Sequence, residues 1–498
     1  MKTSRKKVLR ATLFGLIATS WLLGILAVQL PGGVYAAAAP VAQDSELIGA
    51  TIYLPTVSND HFSSDENFFG VDVGPIYPPG VDIMQQAGAY WLRRGPLPWS
   101  DVEPSIGTRN WEVLAQYEQE LLNAQERDMQ VILIVGSTPA WAQKVGGYTC
   151  GPIKTTELTA FGNFMYDLVK RYSVPPYNVK HWELYNEPDI DFGGGGDPTS
   201  EFGCWGDGAQ FYYGGEYYAD MLAAVYPRIK AADPEEQVLV GGLLLGCEPR
   251  FCGASESEKR PGRFFEGILR HNGLNDGGSY FDGVSFHAYD YYTGLVGDYL
   301  NLKWNSTAGT TGPVSAAKAD YLNGLMAQYG VVGKYLMNTE SAVVCGGFND
   351  PPGKPPCEAD PYSAYEMTKA YYVTQAYAVA IAKDFKANVW YSMMGWRNSG
   401  LLNNDLSLRP AYSAYQTARR ELSHVQYQNE ITQYAGVMGY AFKRGNETIW
   451  VVWSLDRNPH TIALASQPDV IFDALGNSVP AASSIMVDLK PLIIEWLQ

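Results

Sequence analysis

The segment that decides the fold is residues 181–189, HWELYNEPD, in which an apolar strand runs directly into Asn-Glu-Pro. Pro188 cannot donate a hydrogen bond to a sheet, so the strand is predicted to end there and to hold Glu187 at its carboxyl end. Residues 335–341, YLMNTES, repeat the arrangement, because a second apolar strand is predicted to end in Glu340. The sequence therefore predicts two strands that each end in a carboxylate.

Six further apolar segments surround these two, with amphipathic helices between them. Residues 111–124, 158–172 and 218–229 place apolar side chains at three- or four-residue spacing, which is typical of one helical face. Alternating strands and helices predict parallel βαβ units, and eight units close into a (β/α)8 barrel. The alternative is an open doubly wound sheet, but no GxGxxG follows the first strand. The eight predicted strands are residues 68–74, 90–94, 130–136, 179–187, 237–244, 281–287, 334–340 and 388–395.

The helical period disappears after about residue 425. Alternating or β-branched segments and turn signals at Gly445-Asn446 and Gly476-Asn477 replace it. We expect the barrel over residues 67–424 and a small all-β, sandwich-like domain over residues 425–498. This domain is either a structural companion of the barrel, which we favour, or a binding module. Its five predicted strands are residues 439–443, 448–454, 461–465, 470–474 and 484–489.

The first 36 residues have the features of an export signal. Basic residues precede an apolar run over residues 11–30, and Val34-Tyr35-Ala36 fits a small-x-small cleavage site. An apolar run of about 20 residues can also span a bilayer, so an uncleaved anchor is the alternative. Residues 37–66 are predicted to be a linker that contains one strand candidate. We therefore expect a secreted protein.

Charge and cysteine content exclude several classes of partner and site. The formal net charge is −16, with no basic stripe, so neither nucleic acid nor an anionic membrane surface is expected as a partner. Without CxxC or HExxH motifs, we expect neither a metal nor another cofactor. An exported chain with six cysteines is predicted to form disulfides, and six cysteines allow 15 connectivities. Local spacing favours the pairs Cys247–Cys252 and Cys345–Cys357, which leaves Cys150–Cys204 as the third pair. The oligomeric state stays open.

Two carboxylates that face each other across a barrel mouth suit the cleavage of a glycosidic bond. One protonates the leaving oxygen, and the other attacks the anomeric carbon or activates water. The fourth and seventh strands lie on opposite sides of a barrel, so Glu187 and Glu340 can point into one cleft. A gap of about 5 Å between the carboxyl groups implies retention and one of about 6.5–9.5 Å implies inversion. The sequence alone leaves both outcomes open.

The segment Trp182-Glu183-x-x-Asn186-Glu187-Pro188-Asp189 resembles the acid/base segment of clan A glycoside hydrolases, the "4/7" retaining barrels. Within that clan the chain is most similar to glycoside hydrolase family 39 and related bacterial exopolysaccharide glycosidases. The resemblance implies a retaining glycosidase that acts on a poly- or oligosaccharide by double displacement. It extends, in order, over residues 91–93, 99–104, 281–289, 338–340, 400–402 and 409–415.

The resemblance also implies roles for individual residues. Glu187 would be the general acid/base and Glu340 the nucleophile, while Asn186 would hold the sugar 2-hydroxyl. Arg93 would lie beneath the carboxylates and help to keep Glu340 ionised. The residues expected to flank the nucleophile and to contact substrate are His287 and Tyr289.

Aromatic residues are abundant, with 34 Tyr and 13 Trp, and they suit a cleft that stacks and hydrogen-bonds a sugar. Trp141, Trp205 and Trp396 follow predicted strands and are candidate sugar platforms, although a core role competes for each. Two alternative functions stay open. One is a transglycosylase, which differs in its acceptor, and the other is a non-catalytic carbohydrate-binding protein on a glycosidase scaffold.

Overall fold

The computed structural model describes residues 67–191, 203–346, 357 and 363–497. The predicted export signal and linker lie outside these described residues. Within them, no helix combines the length and the apolar character needed to cross a membrane.

The main sheet has ten strands. In chain order they are β1 Phe69–Asp72, β2 Trp91–Pro98, β3 Gln130–Gly136, β4 His181–Asn186, β5 Gln237–Leu243, β6 Gly283–Tyr292, β7 Tyr299–Asn301, β8 Ser306–Thr307, β9 Tyr335–Val344 and β10 Phe385–Tyr391.

Eight of these strands form a closed parallel barrel. Their order is β5-β4-β3-β2-β1-β10-β9-β6, and β6 pairs with β5 to complete the ring. The short strands β7 and β8 extend β6 in antiparallel fashion. The barrel prediction is confirmed, and each of the eight barrel strands overlaps its predicted segment.

Helices cover the outside of the barrel between successive strands. The predicted helix over residues 111–124 is split into a short 3-10 turn, Trp111–Leu114, and a following α-helix. The α-helices are α1 Gly80–Gln86, α2 Trp99–Val102, α3 Ala115–Gln125, α4 Leu158–Tyr172, α5 Gly215–Ala232, α6 Glu256–Lys259, α7 Phe264–Arg270, α8 Ser315–Gln328, α9 Ala364–Ala382 and α10 Pro410–Glu421.

Side-chain alternation along the strands separates two apolar layers. Leu92 of β2 belongs to the large core that the sheet shares with the helices. Trp91 and Ile132 belong to a separate apolar cluster. Arg93 follows Trp91 by two residues on the same face, so a charged layer lies directly above this apolar layer.

Three barrel strands continue past their predicted ends, and the first of them, β2, reaches Pro98. β6 reaches Tyr292 and β9 reaches Val344, so Glu340 lies inside its strand and the prediction that the strand ends there was wrong. The reason is tertiary, because the two strands pair with each other as far as Tyr291 and Val344. A register shift between Phe286 and His287 interrupts this pairing beside the carboxylate.

The C-terminal part forms two antiparallel sheets. The larger one has the order β11-β12-β13-β17-β15, and β14 pairs with β16. Apolar residues from both sheets share one core, which matches the sandwich-like prediction. Sequence reasoning missed β11, which is polar and exposed, and β17, which is an apolar run without alternation. The strands are β11 Gln426–Glu430, β12 Val437–Arg444, β13 Glu447–Ser454, β14 His460–Ala463, β15 Val470–Asp473, β16 Ser484–Val487 and β17 Leu492–Trp496.

The three favoured disulfides are all formed. They join Cys150 to Cys204, Cys247 to Cys252 and Cys345 to Cys357. The first closes a sequence separation of 54 residues between the segments that follow β3 and β4.

Candidate active site

A cavity of about 390 Å³ opens at the carboxyl ends of the barrel strands. Its walls come from β1, β2, β3, β4, β6, β9 and β10 and from the residues that follow β4, β5 and β10. Six of the predicted site residues line it, namely Arg93, Asn186, Glu187, Tyr289, Glu340 and Trp396. This is the edge at which (β/α)8 barrels carry their chemistry.

Glu187 is the first residue after β4, where the chain leaves the sheet. Its φ of 47° lies in the left-handed region, which costs free energy for a residue with a Cβ. Its backbone N–H donates to the carbonyl oxygen of Gly242 on β5 at 2.9 Å. The sequence prediction that Pro188 ends the strand is confirmed, and the turn directs the Glu187 side chain into the cavity wall.

Arg93 connects three acceptors beneath the cavity. Its Nη1 donates to Glu340 Oε1 at 2.6 Å, and its Nη2 donates to Asn186 Oδ1 at 2.7 Å and to Glu183 Oε1 at 2.5 Å. All four residues are buried. Because Arg93 occupies the Asn186 oxygen, the amide nitrogen is the end of Asn186 that is left for a ligand.

The second oxygen of Glu340 faces β6. The Tyr289 hydroxyl donates to Oε2, and His287 Nδ1 lies 3.4 Å from the same atom. His287 Nδ1 also lies 2.8 Å from Glu187 Oε1, so the imidazole bridges the two carboxyl groups. Both oxygens of Glu340 are therefore held in place.

Glu187, His287 and Glu340 form one compact cluster. One carboxylate oxygen from each glutamate and one ring nitrogen all lie within 4.8 Å of one another. A trio with this spacing can also bind a cation. Here, however, the Arg93 guanidinium already supplies the positive charge that Glu340 requires. The arrangement is better suited to a pair of carboxyl groups of which one is protonated and the other ionised.

The surroundings separate the proton affinities of the two glutamates. Burial raises the pKa of Glu187 well above its ordinary value, and the nearby charge of Glu340 raises it further. Burial also raises the pKa of Glu340, while the charge of Arg93 and the hydrogen bond from Tyr289 act to lower it, and the resulting pKa is about 7. Glu187 is thus the carboxyl group that retains its proton when Glu340 ionises.

His287 is a neutral base in this cluster. Burial lowers its pKa well below the ordinary value, and the charges of Arg93 and Lys318 lower it further. Gly242 makes room for the ring, because a Cβ at this position would lie 2.3 Å from His287 Nε2.

The three candidate tryptophans have different surroundings. Trp396 is 47% exposed and lines the cavity, with its ring edge-on to Tyr289 at 6.1 Å. Trp141 packs edge-on against Trp99 and donates to the carbonyl oxygen of Glu103, and it is not among the cavity-lining residues.

The sequence led us to expect Trp205 beside a ligand. In the structure it lies in the core instead. It is 2% exposed and packs against Tyr185 and Tyr218. Its backbone N–H donates to the carbonyl oxygen of Pro188, which draws the segment inward.

Sequence reasoning missed several residues of the site. Glu183 was visible as a charge inside an otherwise apolar strand, which is a signal for a buried ion pair. Asp72 and Tyr391 are the last residues of β1 and β10, and that position alone could have identified them. The remaining cavity-lining side chains outside the prediction include Tyr291 and Arg397.

No protein-family model matches the sequence, and no curated protein matches it. Solved structures do match. A family 39 glycoside hydrolase from Bacteroides cellulosilyticus aligns with a TM-score of 0.62 at 18% identity, over 86% of this chain and 81% of that one. A GH30 endoxylanase from Clostridium papyrosolvens aligns with a TM-score of 0.53 at 11% identity, over 87% and 97%. BuGH86, solved in complex with neoagarooctaose, aligns with a TM-score of 0.57 at 13% identity, over 87% and 75%. The chain therefore has the barrel fold of these glycoside hydrolases.

Proposed function

We propose that the protein is a secreted retaining glycoside hydrolase that cleaves a poly- or oligosaccharide. The observation that carries this proposal is the buried pair Glu187 and Glu340, with one oxygen of each within 4.8 Å across a single cavity. Inverting enzymes need about 6.5–9.5 Å between their carboxyl groups to admit a water, so the short spacing favours retention.

In the first step Glu340 attacks the anomeric carbon and forms a covalent glycosyl–enzyme ester. The bond between that carbon and the leaving oxygen breaks, and Glu187 gives its proton to this oxygen. In the second step the Glu187 carboxylate takes a proton from water. The resulting hydroxide attacks the anomeric carbon and releases Glu340 as a carboxylate.

The charges around the pair support this division of roles. Glu340 is the better nucleophile, since Arg93 and Tyr289 stabilise its ionised form. Glu187 is the better acid, since its burial and the charge of Glu340 raise its pKa. Asn186 would donate its amide to the 2-hydroxyl, and Trp396 would stack on a sugar ring. We assign no substrate contact to Trp141.

Other features agree with action outside the cell. Three disulfides suit an oxidising environment, and the export signal predicted over residues 1–36 would bring the chain there. We propose that the C-terminal sheets are companions of the barrel, because β11 and β12 contact α9 and Arg457 pairs with Asp298.

The nucleophile is tested with Glu340→Ala on the 4-nitrophenyl glycoside that wild type hydrolyses fastest. Activity should fall by about 10⁴-fold or more, and azide should restore turnover as a glycosyl azide of inverted configuration. Glu112→Ala, which changes an exposed glutamate of the same barrel, is the matched control and should behave as wild type. Full activity of Glu340→Ala would refute the assignment.

The acid is tested with Glu187→Ala on two leaving groups. An acidic 2,4-dinitrophenol leaves without help, whereas an alkyl alcohol needs a proton. The variant should therefore lose far more activity on the alkyl glycoside than on the dinitrophenyl glycoside. Equal losses on both would show that Glu187 is not the acid.

A further inference from the structure

A buried lysine lies behind the acid/base, outside the cavity. Lys318 of α8 is 3% exposed, and its Nζ donates to the carbonyl oxygens of Leu244 at 2.8 Å and His287 at 2.7 Å. These bonds join the end of β5 to the strand that carries His287. His287 in turn contacts Glu187. The Lys318 ammonium group therefore supports the histidine that contacts the proposed acid/base.

A buried aspartate holds the same segment from the other side. Asp189 follows Glu187 by two residues, and its carboxylate accepts the N–H groups of Leu244 at 2.9 Å and Leu245 at 2.8 Å. Leu244 is thus bonded through its N–H to Asp189 and through its carbonyl to Lys318. The geometry of this one residue depends on two opposite charges.

Burying an ammonium group is costly, and an apolar side chain would fill the same space more cheaply. The charge of Lys318 therefore needs an explanation beyond packing. The two charges act on Glu187 in opposite directions, because Asp189 raises the pKa of Glu187 and Lys318 lowers it. The buried carboxyl groups that act on Lys318 are those of Asp189, Asp290 of β6 and Glu187.

We propose that Lys318 and Asp189 are positioning residues of opposite charge, which hold the end of β5 and the His287 backbone around Glu187 and together set the upper pH limit of activity. This inference rests on the proposed acid role of Glu187. Neither residue lines the cavity, so both act through Glu187 and not on the substrate.

The expected pH effect has a definite sign for each residue. Hydrolysis is lost at high pH when Glu187 loses its proton, and this loss forms the alkaline limb of the pH profile of kcat/KM. Removal of the negative charge in Asp189→Asn should move this alkaline limb to lower pH, and removal of the positive charge in Lys318→Met should move it to higher pH. Each shift should be roughly 0.5–1 pH unit. The ionisable groups that act on Glu187 from its own segment and from the surrounding elements are Asp189, Arg93, His287, Tyr289, Tyr291, Lys318, Glu340 and Tyr391.

The experiment compares wild type, Asp189→Asn and Lys318→Met by two measurements. The first is kcat/KM against pH on the 4-nitrophenyl glycoside that wild type hydrolyses fastest. The second is an infrared titration of the Glu187 carboxyl stretch, which is identified by its loss in Glu187→Gln and needs no substrate. Lys369→Met is the matched control, because Lys369 is also buried and donates to two backbone carbonyls, those of Asn398 and Gly400.

Opposite shifts in the two variants, seen by both measurements and absent in Lys369→Met, would support the proposal. A limb that stays in place in both variants, or moves in the same direction, would overturn it. Where Lys318→Met does not fold, the direction of the Asp189→Asn shift decides. If wild type hydrolyses no glycoside, the proposed function fails, while the infrared titration still tests the two charges.

Discussion

Arg93→Lys is the sharpest test of how the site keeps Glu340, the proposed nucleophile, ionised. Arg93 uses separate nitrogens to reach Glu340 and the Asn186–Glu183 pair. A lysine keeps the charge but has one nitrogen, so it cannot satisfy Glu340 while it also holds the other two acceptors. The variant should therefore lose the 2.6 Å hydrogen bond to Glu340.

The size of the effect follows from that lost bond. A hydrogen bond to a charged group contributes about 1.5–3 kcal/mol, and one pH unit corresponds to about 1.4 kcal/mol. Arg93 acts to lower the pKa of Glu340, which is about 7 with this contact in place. Loss of the hydrogen bond should therefore raise the pKa of Glu340 by roughly one to two units. At pH values below the acid limb of the pH profile, kcat/KM should then fall about tenfold to a hundredfold, since the proposed mechanism needs Glu340 in its ionised form.

The assay is kcat/KM against pH on a 4-nitrophenyl glycoside, with thermal unfolding measured in parallel. Arg94→Lys is the matched control. Arg94 is the neighbouring residue, and its guanidinium pairs with Glu120 of α3. Its variant should unfold at a lower temperature but keep the acid limb of wild type. An unmoved or lowered acid limb in a folded Arg93→Lys variant would refute the reasoning.

Two further predictions concern packing and chain topology. Gly242→Ala places a Cβ 2.3 Å from His287 Nε2, so it should cost about 1–3 kcal/mol of stability and displace the imidazole from Glu187, measured by urea unfolding and kcat. Gly324→Ala on α8, where a Cβ meets nothing within 4 Å, should instead stabilise by about 0.5–1 kcal/mol; equal effects would contradict the steric argument. Replacement of both Cys150 and Cys204 with Ser should destabilise by about 2–4 kcal/mol, since their bridge closes a separation of 54 residues; an unchanged urea midpoint would show that the bridge adds no stability.

Local patterns were sufficient to predict the eight barrel strands, three of the helices and a shared cavity for Glu187 and Glu340. A proline that cannot donate to a sheet ends β4 wherever the strand lies, so Glu187 could be placed from residues 181–189 alone. Helical spacing in α4 and α5 and turn signals near the C-terminus are equally local. The favoured disulfides followed from short separations along the chain, and the structure confirms them.

Only the tertiary structure decided which side chains of the site form hydrogen bonds and ion pairs with one another. Arg93 meets Glu183 and Glu340 across separations of 90 and 247 residues, and no spacing rule predicts which acceptors a guanidinium will bridge. The extension of β9 past Glu340 depends on its pairing with β6, and the burial of Trp205 depends on a bond to Pro188. Lys318 lies behind Glu187 for the same reason. Barrel closure brings segments together that are distant in the sequence. The register between paired strands then determines which charged side chains meet, and local sequence patterns do not encode that register.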